Sequence, residues 1–258
     1  MENKKGQVTL FVILGIIIVA VIVLLIAFRR DIMPKAGTQE NIDATMNNID
    51  KGIRECLANS ADDPLRRMGL QGGYLATPEG SYRLWDSNPI SYLCYNQAGV
   101  ETCTNRFLTR AKMEEQLAEA IKNNLANCLD IEGFADVGVL SSIKPIYGGD
   151  MVLKVEVARE SVNLELNYRV EVKGSEASRV KDKFEVVIRS PLGELYDVAL
   201  DILDAETTIG RFDQLTYMLQ KMSAYTIELK KPYPDKIYQI KLREKDYVFQ
   251  FAVEGESS

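Results

Sequence analysis

From Gly6 to Phe28 the chain carries no charged side chain, and Val8 to Phe28 is almost wholly Ile, Val, Leu, Phe and Ala. At a rise of 1.5 Å per residue, about 20 such residues cross a hydrocarbon core of roughly 30 Å. Within lipid each peptide group must find its partner inside the segment, so the run is expected to be helical. Gly15 is its one weak helix former. A cleaved secretory signal would be shorter and would end at a small-x-small site. This run ends at Phe28-Arg29-Arg30 with no such site. The reading is a retained single-pass anchor that includes Val8, Phe11, Gly15 and Phe28 and sits in membrane lipid, which places the protein in the cell membrane.

Charge is split unevenly along the 258 residues. Residues 1–30 hold four basic residues against one acid, net +3; the remainder holds 27 against 36, net −9. An acidic body repels phosphate backbones, which excludes nucleic-acid binding through a basic face. The chain has no histidine, so Ser-His-Asp and Cys-His catalysis, His-ligated zinc and His-based pH switching are excluded together. Basic residues flank both ends of the apolar run, leaving its orientation nearly tied. Cysteine breaks the tie. Cys56, Cys94, Cys103 and Cys128 form an even set without a C-x-x-C pair. Disulfides persist outside the cytosol, so the body is expected to be extracytoplasmic. Four reduced, buried thiols in a cytosolic domain are the alternative.

Lys4-Lys5-Gly6-Gln7-Val8-Thr9, running straight into the apolar segment, resembles an archaeal class III signal of the type IV pilin kind. The resemblance implies that a prepilin-type peptidase cuts between Gly6 and Gln7 and leaves the apolar helix attached. It also implies that such helices bundle as a filament core, with copies of this chain or other pilin-like surface proteins as partners. Thr9 stands where Ser is common, and Phe11 where many pilins carry Glu. The body, with its Leu70-Gln71-Gly72-Gly73-Tyr74 turn, resembles uncharacterised archaeal surface proteins that share such anchors.

In the body, Pro34 and Gly37 predict a linker over residues 31–39. Ile42, Met46, Ile49, Ile53, Cys56 and Leu57 recur at three or four residues and predict a helix over 40–68, with Pro64 as a kink or restart. A second helix fits Thr109 to Leu129, with Thr109 as cap. Cys56 and Cys128 lie near the ends of these stripes. Of the three possible pairings, Cys56–Cys128 with Cys94–Cys103 is preferred. Residues 70–108 are punctuated by Gly, Pro and Asn and predict little regular structure. Strict alternation from Val162 to Val172 predicts a strand with one buried face. Leu192 to Ile209 reads as a helix behind Pro191, and 237–242 with 247–253 reads as a hairpin. The expected fold is α+β: a single N-terminal transmembrane helix, then an extracytoplasmic body of two long helices and an antiparallel sheet. Its divisions are 1–30 anchor, 31–39 linker, 40–135 helical disulfide-bonded region and 136–258 sheet domain.

Chemical motifs are sparse. Ser141-Ser142-Ile143-Lys144 and Ser178-Arg179-Val180-Lys181 have the S-x-x-K form, which needs structural context to matter. Asp197, Asp201 and Asp204 share one face of a helix, the pattern of a solvated acidic face or of a carboxylate-based hydrolase. Tyr82, Trp85, Asp86 and Tyr92 are materials of a sugar- or peptide-binding patch, and equally of a small loop core. No phosphate-binding glycine motif occurs. The sequence thus predicts no catalytic residue, cofactor or metal. It predicts a membrane-anchored structural or adhesion subunit, with a bitopic ligand-binding ectodomain as the alternative.

Overall fold

The computed structural model describes residues 13–24, 39–96, 103–136, 143–175, 177–222 and 224–255. Helix α1 covers 13–24. It is followed by α2 (Gln39–Leu70), β1 (Tyr82–Trp85), β2 (Asn88–Tyr95), β3 (Thr104–Asn105), α3 (Arg110–Leu125) and α4 (Ile131–Ala135). Then come β4 (Lys144–Val157), β5 (Ser161–Lys173), β6 (Ser178–Arg189), α5 (Leu192–Ile209), α6 (Gln214–Gln220), β7 (Tyr225–Lys230), β8 (Lys236–Leu242) and β9 (Val248–Val253).

Helix α2 organises the body. Its buried positions run Ile42, Met46, Ile49, Ile53, Leu57, Ala61, Leu65 and Met68, an apolar stripe repeating every three or four residues. The stripe packs against α3, α4, β5, β6 and β9. Helix α3 answers with Met113, Leu117, Ile121 and Leu125, all fully buried, and is capped by the Thr109 hydroxyl, which accepts from Lys112 N.

Pro64 does not break α2. A proline removes the amide that would bond the carbonyl four residues earlier, here that of Ser60. The Asn124 side chain of α3 donates to that carbonyl at 3.1 Å. Tertiary structure thus supplies the bond that the helix lacks, and α2 runs through Pro64 as one continuous helix.

Two sheets flank this helical layer. One is β4-β5-β6, antiparallel throughout. In β5 the alternation is as the sequence predicts, with Val162, Leu164, Leu166, Tyr168, Val170 and Val172 buried. The other sheet has the order β1-β2-β9-β8-β7, with β3 also paired to β2. β8 and β9 form the expected hairpin, whereas β2 and β9 run parallel. The expected antiparallel sheet is thus corrected to two sheets, one of them mixed. Residues 82–95, expected to be irregular, form a hairpin, because a six-stranded sheet supplies the partners that short local runs cannot show. Helix α5 begins behind Pro191 as expected and packs on both sheets.

The anchor requires a larger correction. Among the described residues no helix is long and apolar enough to cross a membrane. The single transmembrane helix, and the membrane location that followed from it, are therefore withdrawn. Val8, Phe11 and Phe28 of the expected span lie outside the described residues, as do Gly6 and Gln7.

Asn124→Ala would leave a buried carbonyl in α2 without a partner. It is expected to destabilise the protein by about 1–3 kcal/mol, read as a lower urea midpoint with an unchanged slope.

Candidate functional site

The residues that suggested a ligand patch lie on the β1–β2 hairpin. Its two turn residues, Asp86 and Ser87, have φ of 48° and 64°. Two positive-φ residues in succession match the twist of a two-residue hairpin. Side chains alternate across a strand, so Arg83 and Trp85 share one face while Tyr82 and Leu84 share the other. Trp85 and Tyr92 pack together on Ile90, Ile237 and Ala252. Tyr82 stands on the opposite face, and Asp86 is exposed in the turn, where its carbonyl accepts from Asn88 at 3.0 Å. The structure therefore brings together two of the four candidates.

Beside Trp85 and Tyr92 is a charged cluster that sequence reasoning missed. The Asp235 side chain is 4% exposed and pairs with the Arg83 guanidinium. Its Oδ2 also accepts from the Tyr92 hydroxyl at 2.7 Å, and its Oδ1 from Gly255 N at 3.1 Å. Both carboxylate oxygens are used within the protein. Burial, reinforced by the bond to Asp235, pushes the Tyr92 hydroxyl up to about 12. The arrangement is a clamp that fixes the hairpin to the chain on either side of β8 and β9. Asp235 lies 152 residues from Arg83, so no local pattern could have revealed the pair.

A second buried cluster joins α5 to β8. Glu206, fully enclosed, accepts from Lys236 Nζ at 2.6 Å and from the Tyr238 hydroxyl. Lys236 also donates to the Gly210 carbonyl at 3.0 Å. Burial and the neighbouring carboxylate both raise the Tyr238 hydroxyl well above its ordinary range. This too is a satisfied network, with each donor matched to an acceptor.

The acidic triplet of α5 is dispersed in its bonding. Asp197 pairs with Arg110 at 2.7 Å, Asp201 accepts from the Tyr217 hydroxyl at 2.7 Å, and Asp204 is exposed. Among the described residues no group of three His, Cys, Asp or Glu side chains is placed to hold a metal ion. Ser178 and Lys181 lie in strand β6, where positions three apart face opposite ways, and Lys181 pairs with Asp50 at 3.0 Å. Ser141 and Ser142 lie outside the described residues.

The four cysteines are joined as Cys56–Cys128 and Cys94–Cys103, with Cα separations of 5.7 and 5.2 Å. The first staples α2 to the end of α3 and closes a separation of 72 residues; the second closes one of 9.

Among the described residues the longest run of exposed apolar side chains is α1. Every large side chain from Ile13 to Leu24 is between 49% and 64% exposed. The space around Gly15 is open. A helix apolar on all sides is normally buried on all sides.

No protein-family model, curated protein or solved structure matches the chain.

The clamp and the disulfides give two measurable outcomes. Because the Tyr92 hydroxyl ionises near 10 when unfolded and near 12 when folded, the unfolded state loses this proton first. Stability contributed by the neutral phenol is complete below pH 10 and falls as pH rises from 10 to 12. Tyr92→Phe is expected to flatten part of that slope in urea titrations. Replacing Cys56 and Cys128 by Ser is expected to cost about 4 kcal/mol, against about 3 for Cys94 and Cys103, because the longer loop gains more entropy when freed.

Proposed function

We propose that this chain is a non-catalytic structural or adhesion subunit, assembling with copies of itself or with similar surface proteins into a filament or cell-surface complex. The observation that carries the reading is α1. Its large aliphatic side chains, from Ile13 to Leu24, are between 49% and 64% exposed. Covering the rest of each side chain is worth about 1 kcal/mol, so the helix as a whole presents a strong drive to associate. Bundling with the same helix of neighbouring copies satisfies it.

Two further features support the reading. Two disulfides fit a head that works where thiols oxidise, outside the reducing cytosol. The class III-like Lys4–Thr9 stretch provides for cleavage between Gly6 and Gln7 by a prepilin-type peptidase, leaving the apolar helix at the new amino terminus. A ligand-binding head finds less support, because Tyr92 and both oxygens of Asp235 are already engaged within the protein.

Sedimentation velocity and electron microscopy of the whole chain, beside a chain lacking residues 1–28, test the proposal. Large ordered species are expected from the first and a folded monomer from the second. A full-length chain that stays monomeric at high concentration overturns it. Mass spectrometry of the mature protein is expected to find Gln7 as the first residue; an intact Met1 removes the processing step.

A further inference from the structure

Strands β4 and β6 are the two edges of their sheet, and β7 is one edge of the other. An edge strand turns every second residue's N–H and C=O outward, a template for a further strand. Ala158 N donates to the Ser161 carbonyl at 2.9 Å between β4 and β5, which fixes the alternation across the sheet. Val157 therefore points out of the β4 edge, and Lys183, Glu185 and Val187 point out of the β6 edge.

Side chains occupy these outward positions. At β4 the Val157 N–H donates to Glu114 at 2.8 Å, and its carbonyl accepts from Arg110 at 2.9 Å. At β7 the Ile227 N–H donates to the Met218 sulfur at 3.3 Å. At β6 the Arg54 guanidinium of α2 donates to the Glu185 carbonyl, in the middle of the outward row. Arg54 is aimed by Asp50, which accepts from its Nε at 2.9 Å and pairs with Lys181 of β6 at 3.0 Å. Nearer the start of α2, Asp43 pairs with Arg179. One flank of α2 is thus clipped along β6 by charged side chains.

Water satisfies an exposed carbonyl as well as a side chain does, so the distinctive effect of the Arg54 bond is steric. A strand added to β6 would lie about 4.8 Å away, in the lane that the guanidinium fills. The strand it covers is otherwise suited to pairing: Val180 and Val187 are 40% and 68% exposed, and β-branched residues favour strands. In an antiparallel register centred on Phe184, Lys183 of each copy faces Glu185 of the other, a favourable cross-strand pair. We infer that Arg54 is an edge guard, which closes β6 against pairing with β6 of a second copy. Its release opens the edge to an isologous, two-copy contact. The guard is independent of assembly through α1, and directs contact between copies away from the sheet.

The test compares the full-length chain with Arg54→Met, which keeps the aliphatic stem and removes the donors. Hydrogen exchange of the β6 peptide is followed by mass spectrometry over a wide range of protein concentration. In the parent it is expected to be independent of concentration. In Arg54→Met it is expected to slow by about tenfold at high concentration. Adding Val187→Pro, which removes an outward N–H that β5 does not use, is expected to restore the parent's behaviour. Should Arg54→Met unfold, Arg54→Lys takes its place, since an ammonium lacks the fork that holds Asp50 and the Glu185 carbonyl together. Exchange that stays independent of concentration in the folded variant overturns the inference. So does slowing that survives Val187→Pro, or equal slowing in the parent. Loss of the fold in both Arg54 variants makes Arg54 a folding residue and overturns it as well. None of these outcomes bears on whether α1 drives assembly.

Discussion

The burial of a single 32-residue helix, α2, is the constraint on which the rest of the body depends. One apolar stripe meets β5 and β6 on one side and α3, α4 and β9 on others, so one helix serves two sheets. Its placement is fixed at several points by bonds that are not part of the stripe. Cys56 ties it to Cys128, and Asn124 completes the turn that Pro64 opens. At the far end the Tyr247 hydroxyl donates to the Leu65 carbonyl at 2.7 Å and Gln250 to the Leu70 carbonyl at 2.9 Å. Gly69 lets β9 approach there, since a Cβ would collide with the Val248 carbonyl and sit 2.8 Å from the Tyr247 hydroxyl. Apolar burial supplies the driving force, and these polar contacts select one position along and around the helix axis.

Charge inside the body has a similar role. Glu206 with Lys236 and Tyr238, and Asp235 with Arg83 and Tyr92, leave from successive residues at the start of β8 toward two different elements. One cluster fixes α5 and the other fixes the β1–β2 hairpin. Ionised groups withdrawn from water are tolerable only when their partners are in place, so each cluster penalises a sheet formed in the wrong register. Titratable side chains that resemble a site in isolation are, in this fold, structural fasteners.

Part of the uncovered surface is apolar. Helix α1 and the outer side of α6 expose aliphatic side chains that neither the sheets nor the core require. Surface of that kind, on a head held together by two disulfides, suits a molecule whose work is contact with other molecules. The aromatic hairpin contributes to the body itself, through Trp85 and Tyr92 packed over Ile90, Ile237 and Ala252.

Local periodicity made part of this protein readable. The three-and-four spacing of α2, the alternation of β5, the helix behind Pro191 and the β8–β9 hairpin are all short-range patterns, and the cysteine count narrowed the pairings to three. Other features depend on partners distant in sequence. The continuity of α2 through Pro64 rests on Asn124, 60 residues later. The parallel pairing of β2 with β9 and the engagement of Tyr92 by Asp235 join segments about 150 residues apart. Composition alone also suggested a membrane-spanning rod, whereas among the described residues no helix is long and apolar enough to cross a membrane. Sequence by itself determined which faces are apolar, because periodicity is local. Only the tertiary structure decided what covers them, because a missing hydrogen bond, a buried charge or a sheet edge is completed by whichever residue the fold brings near.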